Sequence, residues 1–266
     1  MVLKVQEVDM RHGFITGLMI CLALPAAADQ VQDLISGKIK ACQSCDLTGA
    51  NFKKADLSGV DLTGAILTDA SFHRANLRGA ILDGVVAEGT NFNLADLTQA
   101  HMAKGHFVRA MFYAAQMSGA DLTGADLTEA RMQTARLTSA KLAGVVLDRA
   151  ILHDAKANNC DFTGASFQNT NLDRTILGHS KFDKTTMNGA SFAKADASAA
   201  SFLGAMITQT DFYGTDLRRA HFDGAVVSAS RFSLAATDEN TFKGGTLTNN
   251  FGPDSRLHAQ GASDGE

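Results

Sequence analysis

Tryptophan is absent from this sequence, and tyrosine and proline each occur only twice among its 266 residues. Such a chain has few large aromatic side chains for the core of an ordinary enzyme, whereas its many Ala, Leu, Gly, Asp and Thr residues suit a repetitive fold. The length allows one sizeable domain or two small ones. The net charge of -4 is neither strongly basic nor strongly acidic, so bulk charge gives no reason to expect nucleic-acid binding.

Long apolar runs are also missing. The longest, "GFITGLMICLAL" at 13–24, has about twelve residues, whereas a membrane helix, the alternative interpretation, needs about twenty. Arg11 and His12 precede the run, and Pro-Ala-Ala-Ala follows it. This pattern predicts a secretory signal peptide over 1–28, cleaved before Asp29, with Met10 as an alternative start. We therefore expect an exported protein, periplasmic or secreted, without a transmembrane span in its mature form.

The sequence repeats every five residues from Cys45 to Leu247 without an insertion, which gives about 41 pentads. The central position is nearly always Leu, Phe, Met, Ile or Val, and a small residue, most often Ala, lies two positions earlier. Periods of 3.6 and 2 do not fit this pattern, which indicates a repeat architecture. Because one pentad cannot bury its apolar pair alone, the pentads must coil and stack. The pattern is broken at Ala87, Ala157, Ala197, Thr237 and Asn240.

The phenylalanines indicate how many pentads form one coil. They recur every twenty residues in two sets, and twenty residues are four pentads. We therefore predict a four-sided coil in which the rings stack along the axis. An outward column of alternating charge from His101 to Lys181 has the same period. The two sets are Phe52, Phe72, Phe92, Phe112, Phe192, Phe212 and Phe232, and Phe162, Phe182, Phe202, Phe222 and Phe242.

Units such as "ADLSG", "ADLTG", "ANLRG" and "ANFKK" resemble the A(D/N)LXX unit of the pentapeptide repeat family. The resemblance covers about 45–249 and implies the family's fold, an all-β solenoid in the form of a right-handed quadrilateral β-helix, here of about ten coils. Ten coils at ~4.8 Å each would make a rod about 50 Å long. Family membership defines shape more than function.

The two ends of a solenoid need caps. Before the first coil, Val31, Leu34 and Ile35 lie on one face of a predicted short helix, which ends near Gly37 and covers the coil within 29–44. After Leu247 the pattern fails. We expect 250–266 to be a disordered tail, with Phe251 as a plug for the last coil. Since no C-terminal amphipathic helix follows to make a dimer, we expect a monomer.

Cys42 and Cys45 stand where the helix meets the first coil. Exported members of the family often carry a C-x-x-C at this point, so the resemblance implies a structural disulfide, which an oxidising compartment would preserve. A reduced, inert pair and a redox site are the alternatives, and the latter would need a thioredoxin-like βαβ context that the sequence lacks. Cys160 occupies a small inward position and is expected to be a buried thiol.

The sequence contains no motif for catalysis, metal binding or a cofactor. No histidine has another histidine one coil away in its own column, and no Ser/His/Asp arrangement, phosphate-binding glycine loop or H-E-x-x-H is present. The continuous register also leaves no long loop with which to build a concave site. We therefore predict a protein that is not an enzyme, without catalytic residues, metal or cofactor.

One of the four predicted sides, formed by the pentads centred on 52, 72 and onward to 232, differs in charge and is called the basic side below. Its seven basic and three acidic residues give about +4, whereas the other three sides carry about -6. Both tyrosines lie on it, and Arg and Tyr are enriched at interaction hot spots. Tyr113 and Arg131 lie on successive coils, as do Tyr213 and Arg231, so we expect each pair to form a compact anchor. Ordinary solvated surface is the alternative interpretation. The candidate partner-binding residues are Lys53, Lys54, Arg74, Tyr113, Arg131, Arg174, Lys194, Tyr213 and Arg231.

Two functions are compatible with these features. The leading hypothesis is a non-enzymatic, exported scaffold or interaction module whose basic side binds an acidic protein or an anionic envelope polymer. The alternative comes from the resemblance, because some cytoplasmic members of the family look like duplex DNA in shape and charge and bind DNA topoisomerases. This chain departs from them in its predicted signal peptide, its nearly balanced charge and its lack of a C-terminal dimerisation helix.

Overall fold

The computed structural model of the chain describes residues 27–252, 254 and 256–258. The predicted signal peptide therefore lies outside the described residues, except for its last two. Helix α1 spans Ala27–Ile35. Its Leu34 side chain is 1% exposed and belongs to the same buried cluster as Cys42 and Leu47 of the first coil. Gly37 follows the helix at a φ of 71° and donates its backbone N–H to the Leu34 carbonyl, so the chain turns here from the helix into the first coil.

Parallel pairing at an interval of twenty residues organises the rest of the chain. It begins at Ala41, which pairs with Asp61, four residues before the predicted start of the repeat, and it continues in steps of five. Because twenty residues are four pentads, each coil has four sides. The predicted right-handed quadrilateral β-helix is confirmed.

The corners of the coils explain the preferred residues of the pentad. The last residue of each pentad from 44 to 234 has a positive φ, as Gly64 (65°) and Lys54 (60°) illustrate. Asp or Asn just before the central residue accepts the backbone N–H two positions later, as Asp46 does from Thr48 at 3.0 Å. This contact satisfies a donor that the tight corner would otherwise leave without a backbone partner. A positive φ favours glycine but does not require it, since other residues adopt it at a cost.

The core contains the central and the small residues of the pentads. The rings of Phe52 and Phe72 stack with centroids 4.9 Å apart, and Phe72 stacks on Phe92 at 5.1 Å. In the second column Phe182 and Phe202 stack at 4.9 Å. The prediction that residues twenty apart are vertical neighbours is therefore confirmed.

Regular strands form on one side of the C-terminal half. Strands β1 (Thr186–Asn188), β2 (Met206–Thr208), β3 (Val226–Ser228) and β4 (Thr246–Thr248) make a parallel sheet in the order β1-β2-β3-β4. Elsewhere in the coils each side contributes a single bridging residue per pentad. Among the residues that the structure describes, no helix has the length and apolar character needed to cross a membrane.

The C-terminal end departs from the predicted uninterrupted coil. Residues 239–244 form turns, and position 241 makes no bridge within the described residues. The cause lies in two successive pentads: Thr237 replaces the large central residue of one, and Asn240 replaces the small residue of the next. After this interruption the chain regains the register at β4.

The segment after β4 also differs from the expected disordered tail over its first part. Strand β5 (Asn250–Phe251) pairs antiparallel with β6 (Leu257–His258). Phe251 bridges to Arg231 of the coil below and is 46% exposed, so the proposed plug is wrong. Phe242 instead packs edge-on against Phe232, with ring centroids 4.9 Å apart. Residues 259–266 lie outside the described part of the chain.

Candidate functional site on the basic side

Three residues of every pentad lie at its outer surface: the one before the central residue and the two after it. On the basic side, Met111 pairs with Arg131 and Asp211 with Arg231 in the bridging column. Tyr113, in the column after the central residue, is 51% exposed. The parallel register thus stacks outward residues that are twenty apart in the sequence, and this spacing decides which charges meet.

Two of the predicted basic residues are neutralised by carboxylates one coil away. Arg174 donates from Nε and Nη2 to the two carboxylate oxygens of Asp154, at 2.7 and 2.8 Å. Arg231 makes the same two-pronged contact with Asp211, its Nε 2.8 Å from Oδ1. His153 also contacts the Asp154 carboxylate at 2.9 Å. Hydrogen bonds from Arg174 and His153 hold the pKa of Asp154 well below its usual range, so that carboxylate is ionised at all physiological pH values.

The net positive charge is therefore confined to the N-terminal half of the basic side. Here no acidic residue occupies an outward position between 51 and 134. All three acids of the basic side lie in its C-terminal half, where they balance three basic residues. The uncompensated residues of the N-terminal half are Lys53, Lys54, Arg74 and Arg131.

A shallow depression lies at the end of this N-terminal half and extends to His153 in the next coil. Tyr113 and Arg131, which were predicted to form an anchor on successive coils, both line it. The backbone N–H of Tyr113 donates to Oδ1 of Asn93 at 2.8 Å, and this hydrogen bond joins the coil of Tyr113 to the coil below it. The complete lining is Asn93, Met111, Tyr113, Arg131, Gln133 and His153.

The second predicted anchor, Tyr213 with Arg231, has a different geometry. The guanidinium carbon of Arg231 lies over the Tyr213 ring, 4.8 Å from its centroid, within the range of a cation–π contact. Asp211 holds that guanidinium in place. Lys194, which lies on the same side one coil below Tyr213, makes no ion pair among the described residues.

Sequence comparisons agree with the repeat geometry. The model of pentapeptide repeats matches residues 45–84, 90–129 and 130–169, and the model of a pentapeptide repeat region matches 150–232. The chain belongs to the pentapeptide repeat family. No curated protein matches it in sequence.

Solved structures of other pentapeptide repeat proteins resemble the chain. HetL from the cyanobacterium Nostoc, a protein involved in heterocyst differentiation regulation, is 25% identical, with 82% of this chain and 91% of that chain covered and a TM-score of 0.43. QnrB1, a plasmid-mediated fluoroquinolone resistance protein, is 16% identical, with coverage of 75% and 92% and a TM-score of 0.46. Rfr23 from the cyanobacterium Cyanothece 51142 is 24% identical, with coverage of 51% and 98% and a TM-score of 0.36.

The cysteines of this pentapeptide repeat protein are placed as the resemblance implied. A disulfide joins Cys42 and Cys45, with their Cα atoms 5.5 Å apart. Cys42 is buried against the first coil. Cys160 is a buried free thiol whose Sγ lies 3.0 Å from the Leu137 carbonyl, and burial raises its pKa to about 12.

Four residues of the depression were not among the predicted partner-binding residues: Asn93, Met111, Gln133 and His153. None of them is Asp, Glu, Lys or Arg, so a count of charged residues could not find them. Their signal is positional, because Asn93, Gln133 and His153 share the outward column of Tyr113 at intervals of twenty residues. In the described residues, no group of three or more His, Cys, Asp or Glu side chains is arranged to hold a metal ion.

Proposed function

We propose that this pentapeptide repeat protein is an exported, non-enzymatic interaction module whose basic side binds an anionic partner. The observation that carries the proposal is the N-terminal half of that side, where Lys53, Lys54, Arg74 and Arg131 are outward and no acidic residue is interspersed. An acidic protein and an anionic polymer of the cell envelope are the two kinds of partner that such a surface would attract.

The arrangement of these charges supports binding better than their number does. The four basic residues lie on one side of a rod, over about five coils that span ~24 Å. Exposed charges act within about 8–10 Å at physiological ionic strength, so Lys53, Lys54 and Arg74, which lie on successive coils, reinforce one another. Arg131 lies almost three coils, or ~14 Å, farther along the rod. We therefore expect binding to weaken as the salt concentration rises.

A rigid rod suits a scaffold. The coils follow one another from Ala41 to Ala236 without an insertion, and parallel hydrogen bonds join every pair of successive coils. A partner bound at one end of the side would be held at a defined distance from a partner bound at the other. The predicted signal peptide supports placing this rod outside the cytoplasm, and recovery of a chain beginning at Asp29 from the periplasm or medium would test that part.

The binding proposal is tested by reversing charges that have no acidic partner. The variant Arg74→Glu, Arg131→Glu, Lys194→Glu changes the basic side, and the matched control Arg136→Glu, Lys156→Glu, Lys184→Glu makes the same change in net charge on the other sides. Captured envelope material is compared for both variants and the wild type. Loss with the first variant alone supports the proposal. If the first variant captures the same partners as the wild type while its melting temperature is unchanged, the basic side is ordinary solvated surface.

A further inference from the structure

The basic side carries the same pair of side chains twice. Tyr113 and Arg131 are separated by eighteen residues, and so are Tyr213 and Arg231, which follow a hundred residues later. A hundred residues are five coils, or ~24 Å along the rod. Each tyrosine follows a buried phenylalanine of the stacked column, Phe112 or Phe212. The backbone therefore presents both pairs in the same way, and only the surrounding side chains differ.

The second pair already holds a carboxylate. Asp211 occupies the bridging position one coil below Arg231, accepts from Nε and Nη2 of that arginine, and so holds the guanidinium over the Tyr213 ring. The same carboxylate accepts the Tyr213 backbone N–H at 2.9 Å. A carboxylate at this position therefore binds both the arginine side chain and the tyrosine backbone.

The first pair lacks that carboxylate. Met111 stands where the second pair has Asp211, and within the described residues Arg131 makes no ion pair. Nor does the Arg131 guanidinium lie over the Tyr113 ring as its counterpart lies over Tyr213, among the contacts of the described chain. An exposed aromatic ring and an arginine without an acidic neighbour therefore face the same depression.

The lining of the depression adds hydrogen-bonding groups. Asn93 and Gln133 contribute side-chain amides, whereas the corresponding positions of the second pair are Ala193 and Ser233. His153 closes one end, with Nδ1 directed to the Asp154 carboxylate, which Arg174 also binds. Because that acid is already paired with two partners, it opposes an incoming anion less than a free carboxylate would.

We propose that the depression between Tyr113 and Arg131 binds a carboxylated sugar unit of an anionic polysaccharide, whose carboxylate binds the Arg131 guanidinium as the Asp211 carboxylate binds that of Arg231. This inference rests on the proposed function and names its ligand. Arg131 would bind the carboxylate through two parallel N–H donors, the bidentate geometry that guanidinium groups favour. The exposed Tyr113 ring offers a flat face to the C–H groups of a sugar ring, and the amides of Asn93 and Gln133 suit its hydroxyls.

A sugar fits this site better than an acidic protein side chain. Its volume of about 310 Å³ is at the lower end of the range for small-ligand sites, larger than a single aspartate needs. Besides Arg131, four of its six lining residues carry hydrogen-bonding groups, which suit the hydroxyls of a sugar, and the rest of the lining surface is apolar, which suits its C–H groups. The polymer would then continue along the row of basic residues toward Arg74 and Lys53.

The chain itself supplies the reporter. It contains no tryptophan and only two tyrosines, so in a Tyr213→Phe background the fluorescence of Tyr113 reports on the depression alone. Titration with trigalacturonate should give a saturable change, and the fully methyl-esterified trimer, which lacks the free carboxylates, should bind at least tenfold more weakly. Failure of trigalacturonate to bind would overturn the proposal.

The decisive variant is Met111→Asp, which gives the first pair the carboxylate of the second. We expect it to lose trigalacturonate affinity at least tenfold with an unchanged melting temperature, because the new carboxylate occupies Arg131. The control Gln116→Asp adds an acid in the same coil on the neighbouring side and should bind as before. Unchanged binding by Met111→Asp would overturn the proposal, as would equal losses in both variants.

A further arm separates this inference from the proposed function. If a glutamate oligomer is bound through the basic side, so that Arg74→Glu, Arg131→Glu, Lys194→Glu abolishes its binding, whereas trigalacturonate is not bound, the anionic-partner proposal stands and the sugar inference fails. If the same triple variant retains every partner of the wild type, the proposed function fails at its own test.

Discussion

The Sγ of Cys160 lies 3.0 Å from the carbonyl oxygen of Leu137, twenty-three residues earlier in the chain. Ser180, one coil higher, makes the same contact with the carbonyl of Ala157 at 2.7 Å, and Thr90 makes it with Leu67 at 2.6 Å. The small inward position therefore accepts a hydroxyl or a thiol as well as alanine, because the carbonyl of a central residue in the coil below supplies the hydrogen-bond acceptor. At the end of the rod, Nδ2 of Asn250 makes the same contact with the Val227 carbonyl at 3.0 Å, so a polar group at this position must donate to a nearby carbonyl.

The small inward position should not tolerate a larger side chain. Ala120 is fully buried, and Ala120→Leu should lower the free energy of unfolding by roughly 1–3 kcal/mol, the usual cost of overpacking a tight core. Thr123→Leu in the same pentad replaces an exposed side chain and should cost much less. Thermal melting of both variants measures the difference, and equal melting temperatures would contradict the inward assignment of Ala120.

The corners allow a substitution that should stabilise the protein. Ala199 lies at a φ of 55°, a left-handed conformation that costs a residue with a Cβ roughly 1–2 kcal/mol. Ala199→Gly removes that cost. It also raises the conformational entropy of the unfolded chain, which lowers the free energy of unfolding by about 0.4–1 kcal/mol, so a small net gain in stability is expected.

Ala143 is the matched control for this substitution. It lies one position earlier in its pentad, where φ is not positive, and it is similarly half-buried. Ala143→Gly should therefore lower the midpoint of chemical denaturation, whereas Ala199→Gly should raise it. A lower midpoint for both variants would show that the corner conformation does not limit stability.

Much of the fold could be predicted from the sequence because every coil repeats the same packing problem. The Phe columns set the period at twenty residues, and the alternation of small and large residues set which positions face inward. The C-terminal end could not be predicted in this way. Around Thr237 and Asn240 the pattern fails, and the pairing of Phe251 with Arg231 depends on how the chain re-enters the register afterwards.

The candidate site was predicted in part. The charge asymmetry and the two tyrosine–arginine pairs follow from the twenty-residue columns. Arg174 and Asp154 also lie in one column, but a count of charges per side does not show that they form an ion pair. The depression depends on the relative sizes of neighbours such as Asn93, Tyr113 and Gln133. Such differences in side-chain volume within a repeat are invisible to a pattern that treats all outward positions alike.

The thiol content should separate the three cysteines that follow the predicted cleavage point. In protein beginning at Asp29, a thiol reagent at pH 8 should find almost no reactive group in the native state, because Cys42 and Cys45 are bonded and burial raises the pKa of Cys160 to about 12. Denaturation without reductant should expose one thiol, and denaturation with reductant three. Detection of three thiols without reductant would show that Cys42 and Cys45 are not bonded to each other.

Reduction of the disulfide should act locally. The loop that it closes is very short, so its entropic contribution is only roughly 2 kcal/mol. Hydrogen exchange after reduction should accelerate at α1 and the first coil, whereas amides near Phe162 and Phe182 stay protected. Uniform acceleration along the rod would indicate that the cap controls the stability of every coil.

Acid should destabilise the rod through the aspartates at the corners. Asp61 accepts the side-chain hydroxyl of Thr63 at 2.6 Å and its backbone N–H at 2.9 Å, and these hydrogen bonds lower the pKa of Asp61 below its ordinary value of 3.8. Asp46 and Asp56 are shifted in the same direction by Thr48 and Ser58. A carboxyl whose folded pKa is lowered contributes stability that is complete well above pH 3.8 and is lost as the pH falls through the folded value. The melting temperature should therefore be nearly constant from pH 7 to about pH 5 and fall steeply below pH 4.

Asp61→Asn tests the cause of this acid sensitivity. Asparagine can accept the same corner hydrogen bond, as Asn76 does from the Arg78 backbone N–H at 3.2 Å, but it does not titrate. The variant should thus melt close to the wild type at pH 7 and lose less stability than the wild type between pH 5 and pH 3. An identical loss in both proteins over that interval would mean that the corner carboxylates are not the groups that acid protonates when the rod unfolds.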